Sequence, residues 1–248
     1  MKFCLITLAF AALGLMMPGL HAADETVIVL VGDSTVTGKS RDRDQAGWGW
    51  ALQQWTRPGV KVVNTAVGGR SSRSFRTEGR WDKALKHKPD WILIQFGHND
   101  QKGKGPERES AAETDYRDHL RRYIKEAREI GAEPVLISSV CRRNYRGDVL
   151  KDSLEPYAEA VRIVAEETGT PYLDLHAYSY EQLTKMGPQE AALLGPQDNL
   201  KDHTHFSTDG ARVVADWVVT LMREKLPELA ADFDVPADAG ELPKPVEK

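Results

Sequence analysis

The sequence predicts an α/β fold: a three-layer α/β/α sandwich around a flavodoxin-like, parallel five-stranded sheet. Two observations carry this. Short apolar, β-branched runs alternate along the chain with longer segments that have helical spacing, the pattern of a parallel sheet with crossover helices. The first run, Thr26–Val31 (TVIVLV), is apolar throughout instead of alternating, as a strand covered on both faces must be. The chain length of 248 residues suits one domain of this type.

The elements follow in order. Strand-like runs recur at Val60–Asn64, Trp91–Phe96, Pro134–Val140 and Pro171–Leu175. Between them, Trp48–Trp55 and Trp81–His87 read as helices. Ala111–Ile130 is a longer one, with Leu120, Ile124 and Ala127 on one face. Asp152 precedes Ser153–Glu167 as a helix N-cap, and Ser207 caps a last helix reaching Leu226. That helix puts Val213, Val214, Trp217, Val218 and Leu221 on one side. Segments 152–169 and 178–195 read as ordinary helical or mixed connections. From residue 230 the chain turns Pro- and Glu-rich, and residues 230–248 are expected to form a mobile tail.

Met1-Lys2 followed by the apolar stretch Leu5–Leu20 and the small residues Ala22 and Ala23 has the layout of a secretory signal peptide. The stretch is shorter than the roughly 20 residues of a membrane helix. Residues 1–22 are therefore expected to be removed, leaving a domain over 23–229, exported and without stable membrane insertion. Cys4 precedes the apolar run, too early for lipid attachment after it. Cys141 is then the one remaining cysteine; it has no internal disulfide partner, and a buried structural role is expected for it. Hydrophobic content of 41% and charged content of 28% are those of a soluble globular protein. A net charge of −4 gives no support to a nucleic-acid partner.

In open parallel sheets, ligands bind beyond the carboxyl ends of the strands. Three loops there, and one before the last helix, hold unusual residues: Gly32-Asp33-Ser34-Thr35, Asn64–Ser71 (NTAVGGRS), Gly97-His98-Asn99-Asp100, and Asp202–Phe206 (DHTHF). Acyl transfer needs a nucleophile, a base, a group that orients the base, and donors for an oxyanion. Ser34, His205 and Asp202 supply the first three. The Ser34 N–H, the Gly69 N–H and the Asn99 side-chain amide supply the donors. Each residue alone has a plainer reading as a turn or cap; their joint placement is what points to a site. Arg70, Arg73 and Arg76 follow Gly69 either as a solvated basic turn or as contacts for a uronate carboxylate. Trp48 and Trp50 read as core in preference to a sugar-stacking face.

Together GDST, NxAxGGRS, GHND and DxTHF resemble the SGNH (GDSL-type) hydrolases, and within them the rhamnogalacturonan acetylesterase family. The similarity runs from about Val27 to about Leu226. It implies a nucleophile at Ser34, oxyanion-hole donors at Ser34, Gly69 and Asn99, an acid and base at Asp202 and His205, a flavodoxin-like fold and no metal or other cofactor. The implied substrate is an acetylated pectic polysaccharide, with other acetylated sugars such as xylan, or acyl transfer to a second sugar, as alternatives.

Rival readings have weaker support. VGDSTVTGKS suggests a phosphate-binding loop, but five residues separate Gly32 and Gly38 where that loop needs four. Asp202, His203 and His205 could mimic metal ligands, yet the chain has no HExxH and no cysteine or histidine cluster at metal spacing. A non-catalytic carbohydrate-binding module is disfavoured because every catalytic position holds a competent residue.

Overall fold

The computed structural model describes residues 25–244; the expected signal segment 1–22 lies outside them. Five parallel strands form the sheet: β1 (Thr26–Gly32), β2 (Val60–Asn64), β3 (Trp91–Gln95), β4 (Glu133–Ile137) and, after a short hairpin, β7 (Tyr172–Leu173), in the order β2-β1-β3-β4-β7. The hairpin is β5 (Tyr145–Arg146) with β6 (Val149–Leu150), antiparallel. In β1, Ile28 and Leu30 enter one core while Val29 and Val31 enter the other. That explains the unbroken apolar run, because alternate side chains each meet a helical layer.

One layer holds α1 (Trp48–Gln54), α6 (Leu175–Leu193) and α7 (Thr208–Lys225), which bring Leu52, Leu183 and Val214 to the first core. The other holds α2 (Ser72–Thr77), α3 (Arg80–Leu85), α4 (Asp115–Glu129) and α5 (Glu155–Thr168), which bring Phe75, Trp81, Leu120 and Val161 to the second. A short α8 (Pro227–Ala230) follows α7. The three-layer sandwich is the predicted fold class.

From β1 the chain steps to β2 on one side, then passes over to β3 on the other. The topological switch point thus lies between β1 and β3, where a crevice opens for ligands. Ser34 stands two residues beyond the end of β1. Gly32 is required at that turn, since a Cβ there would lie 2.7 Å from the Gln95 carbonyl oxygen.

Several boundaries differ from expectation. The strand expected to reach Val140 ends at Ile137, and α6 begins at Leu175 because the Asp174 carboxylate accepts from Ala177 N–H. Helix α5 starts at Glu155, later than expected, with Leu154 and not Asp152 at its N-cap; Asp152 acts from two residues before that position, its Oδ1 accepting from the Leu154 and Glu155 N–H groups. Ser207 caps α7 through Gly210 N–H. Helix α2 was not foreseen; it starts in the Gly-Arg-Ser loop through a capping box in which Ser71 and Ser74 each bond the other's backbone N–H. The segment after residue 230 does not behave as a detached tail over its described part. Phe233 and Ala239 are buried, Val235 and Leu242 pack on the first core, and Asp234 N–H donates to the Trp55 carbonyl. Its few apolar residues find a groove beside α1 and α7 that composition cannot reveal.

Candidate active site

The turn carrying Ser34 is held from below by buried side chains. Trp48 Nε1 donates to Gln95 Oε1 (2.9 Å), Gln95 Nε2 to Thr35 Oγ1 (2.6 Å), and Thr35 Oγ1 to Asp33 Oδ1 (2.8 Å). Trp48 is fully buried, while Trp50 is half-buried beneath the Lys39 ammonium. On its other side Asp33 meets His98, Oδ2 to Nδ1 at 3.4 Å. Burial pushes the Asp33 carboxyl up, but His98 and the Thr35 donors outweigh it and leave Asp33 below the ordinary carboxylate value. For His98 burial dominates, and the imidazole is held below its usual value despite Asp33. The pair is thus a carboxylate beside a neutral ring.

Ser34, Asp202 and His205 come together. His205 Nε2 lies 2.9 Å from Ser34 Oγ, and its Nδ1 lies 2.7 Å from Asp202 Oδ2. The second Asp202 oxygen accepts from the Thr204 and His205 backbone N–H groups at 3.0 and 2.9 Å. Burial raises the Asp202 pKa, but these donors and the His205 ring prevail, so the net shift is downward. An ionised carboxylate against Nδ1 orients the imidazole and turns Nε2 toward the serine.

The Gly68-Gly69 loop passes beside Ser34, a Cβ on Gly68 falling 3.5 Å from the Ser34 Cβ. Gly69 has φ +76°, a left-handed conformation that suits glycine. Among the described residues neither the Ser34 nor the Gly69 N–H has a hydrogen-bond acceptor. Asn99 Nδ2 donates to the Arg70 carbonyl at 3.1 Å, tying the third loop to the second and leaving one amide hydrogen unused.

The arginines separate. Arg70 donates to Glu78 (3.1 Å) and to the Gly68 carbonyl (3.0 Å), and with Gly69 it lines a cavity of about 240 Å³. Arg73 is paired with Asp115 at 2.8 Å, and Arg76 with Glu126. Asp202, His203 and His205 do not converge on a metal-sized cluster among the described residues. Instead Asp202 and His203 border a cavity of about 260 Å³ that Tyr145 and Gly147 of the hairpin also line.

Two residues the sequence analysis passed over hold this site. Arg143 Nη2 donates to the carbonyls of both Asp202 (2.8 Å) and His205 (2.7 Å), and its guanidinium lies 5.0 Å from the Phe206 ring centroid. Arg142 bonds Thr204 Oγ1, Gln101 Oε1 and the His98 carbonyl. Both follow β4, and the rule that ligand loops lie beyond strand ends was the available signal.

Comparison with known proteins agrees with this architecture. The model of the GDSL-like lipase/acylhydrolase family matches residues 30–213. A probable rhamnogalacturonan acetylesterase of Bacillus subtilis (strain 168) is 35% identical over 200 residues, covering 79% of this chain and 92% of that protein. The rhamnogalacturonan acetylesterase RhgT of the same strain is 36% identical over 211 residues, covering 79% and 89%. Among solved structures, a Bacillus subtilis protein superposes with a TM-score of 0.70 at 26% identity over 84% of this chain; the chain spans 58% of that protein's length. An acetylxylan esterase from Geobacillus stearothermophilus shares the fold, with a TM-score of 0.60 at 21% identity over 79% of this chain and 94% of its own. The chain belongs to the GDSL-like lipase/acylhydrolase family and, within it, to the rhamnogalacturonan acetylesterases, which are carboxylic ester hydrolases.

Proposed function

We propose that this protein is a serine carbohydrate esterase that removes O-acetyl groups from acetylated pectic rhamnogalacturonan through an acyl-enzyme. The observation that carries the reading is the continuous hydrogen-bonded path from Ser34 Oγ through the His205 ring to Asp202. His205 takes the hydroxyl proton as Ser34 Oγ attacks the acetyl carbonyl, and Asp202 stabilises the imidazolium that forms. The oxyanion is received by the Ser34 N–H, the Gly69 N–H and the Asn99 amide. His205 returns the proton to the departing sugar hydroxyl. Water, deprotonated by His205, then attacks the acetyl-serine and releases acetate. No step calls on a metal or cofactor.

The substrate assignment leans on the relatives named rhamnogalacturonan acetylesterases and on the basic residues beyond Gly69. Arg70, in the cavity wall beside Gly69, is the better placed to meet a uronate carboxylate; Arg73 would have to exchange Asp115 for it. Export belongs to the same reading, from the basic start and apolar run within residues 1–22. An extracytoplasmic esterase meets a polymer that does not enter cells.

Acetate release from acetylated rhamnogalacturonan, acetylated xylan and a chromogenic acetyl ester tests the proposal. Release from the pectic polymer is expected, reduced to background by Ser34→Ala. Asn99→Ala should lower turnover about 100-fold or more. Near-normal turnover in Ser34→Ala would overturn the mechanism. Release from xylan or the small ester alone would keep the serine esterase and discard pectin. One relative named acetylxylan esterase, 25% identical over 206 residues, makes xylan the comparison to run.

A further inference from the structure

A second cluster of reactive side chains lies apart from Ser34. Cys141 follows β4, Asp152 follows the hairpin, and His176 lies in the first turn of α6. Spacings of 11 and 24 residues conceal them in sequence, yet one ligand atom from each lies within 4.8 Å of the other two. Cys141 and His176 are buried, and Asp152 is the member nearer to solvent. His176 Nε2 approaches Asp152 Oδ2 to 3.0 Å, but the pair lacks hydrogen-bond alignment, and Nε2 has no hydrogen-bond partner although the residue is only 7% exposed. The three ligand atoms thus lie together inside the fold, and the His176–Asp152 ion pair is the contact that a cation bound between them would replace.

We propose that Cys141, Asp152 and His176 form a binding site for a divalent cation of the zinc class. The donor set is one thiolate sulfur, one imidazole nitrogen and one carboxylate oxygen, which zinc accepts in tetrahedral geometry. With metal–ligand bonds of about 2.0–2.3 Å, such ligands stand roughly 3.3–3.8 Å apart. In the structure Nε2 and Oδ2 stand 3.0 Å apart and all three ligand atoms lie within 4.8 Å of one another. Supporting contacts already hold each ligand. Asp152 Oδ1 is engaged by the Leu154 and Glu155 N–H groups, which leaves Oδ2 free to bind. Cys141 N–H donates to Ser179 Oγ and His176 N–H to Ser138 Oγ, both at 2.9 Å. A cavity of about 120 Å³ reaches His176, lined by Glu155, Asp174 and the Glu159–Arg162 ion pair, and it leaves room for a water as fourth ligand. On binding, the Cys141 thiol and the protonated His176 ring each give a proton to solvent, and the sulfur and Nε2 take up the metal bonds.

The site is structural, and it is independent of the esterase reading. Cys141 is the free cysteine among the described residues, so no disulfide braces this part of the fold. A metal there ties the end of the hairpin to β4 and α6. The hairpin carries Tyr145 and Gly147 in the wall of the cavity next to Asp202, so the ion would stiffen one side of the cleft.

The test uses protein stripped with a chelator and dialysed, then titrated with zinc by calorimetry and with cobalt(II) by absorption. Expected are one zinc per chain, a raised Tm, and a sulfur-to-cobalt charge-transfer band in the near ultraviolet. Cys141→Ser should lose the band. Asp152→Asn keeps the oxygen that accepts from the Leu154 and Glu155 N–H groups but loses the ion pair with His176, so it should fold with a somewhat lower metal-free Tm, bind zinc about 100-fold more weakly and retain esterase turnover. No stoichiometric uptake, a cobalt complex without the sulfur band, or unchanged zinc affinity in Asp152→Asn would each overturn the site. So would zinc uptake abolished by His205→Ala and untouched by Cys141→Ser, since that would place the ion at the catalytic residues.

Discussion

At the residue scale the most consequential environment after the serine–histidine–aspartate path is that of Asp100. Its carboxyl is fully buried, and burial pushes its pKa up to about 7, against the donors of Ser72 that pull it down. Nearby Asp33 adds to the rise. In the unfolded chain the same group titrates near the ordinary value of about 3.9. Between those values the folded protein holds a proton that the unfolded chain has released. Stability therefore falls as pH rises from about 4 to about 7, the opposite of a salt-bridged aspartate. Asp100→Asn resembles the neutral acid and should flatten that part of the profile. Denaturant midpoints measured at pH 4.5 and pH 7.5 for both proteins decide it; parallel curves would refute the assignment.

At the element scale, the loop that presents Asp202 and His205 has little regular structure of its own. It precedes the Ser207 cap of α7, and Arg143, in the loop after β4, clamps it by bonding the carbonyls of both residues. An imidazole displaced by about 1 Å can lose roughly 100-fold in rate. Arg143→Met should therefore lower kcat by about that factor while KM for a small acetyl ester changes little. Arg143→Lys, which keeps a donor but not the forked geometry, should fall between. Unchanged kcat in Arg143→Met would show that the loop is positioned by other contacts. The same scale explains α2. Its apolar content is one phenylalanine, Phe75, so periodicity is silent there, and the helix rests on the Ser71–Ser74 capping box and on Phe75 entering the second core.

At the scale of the whole molecule, the sheet order and the segment beyond α8 decide what the domain is. Phe233 is buried against the first core, and Asp234 bonds back to Trp55. Phe233→Ala should cost about 3 kcal/mol, seen as a lower Tm, with esterase turnover preserved below the transition; a freely moving segment would show no loss. By itself, the sequence determined the fold class and the loops in which to look. Covered strands must be apolar on both faces, as Thr26–Val31 is, and open parallel sheets bind ligands beyond their strand ends. It also pointed to Ser34, Asp202 and His205, not singly but through their joint placement in loops beyond the strand ends and before the last helix. Only the tertiary structure decided the rest. Arg143 meets the Asp202–His205 loop some sixty positions away, and His98 meets Asp33 from the end of the neighbouring strand. Cys141, Asp152 and His176 converge from three elements, and the C-terminal segment finds its groove. These are long-range contacts, set by how layers pack, and no local period or spacing encodes them.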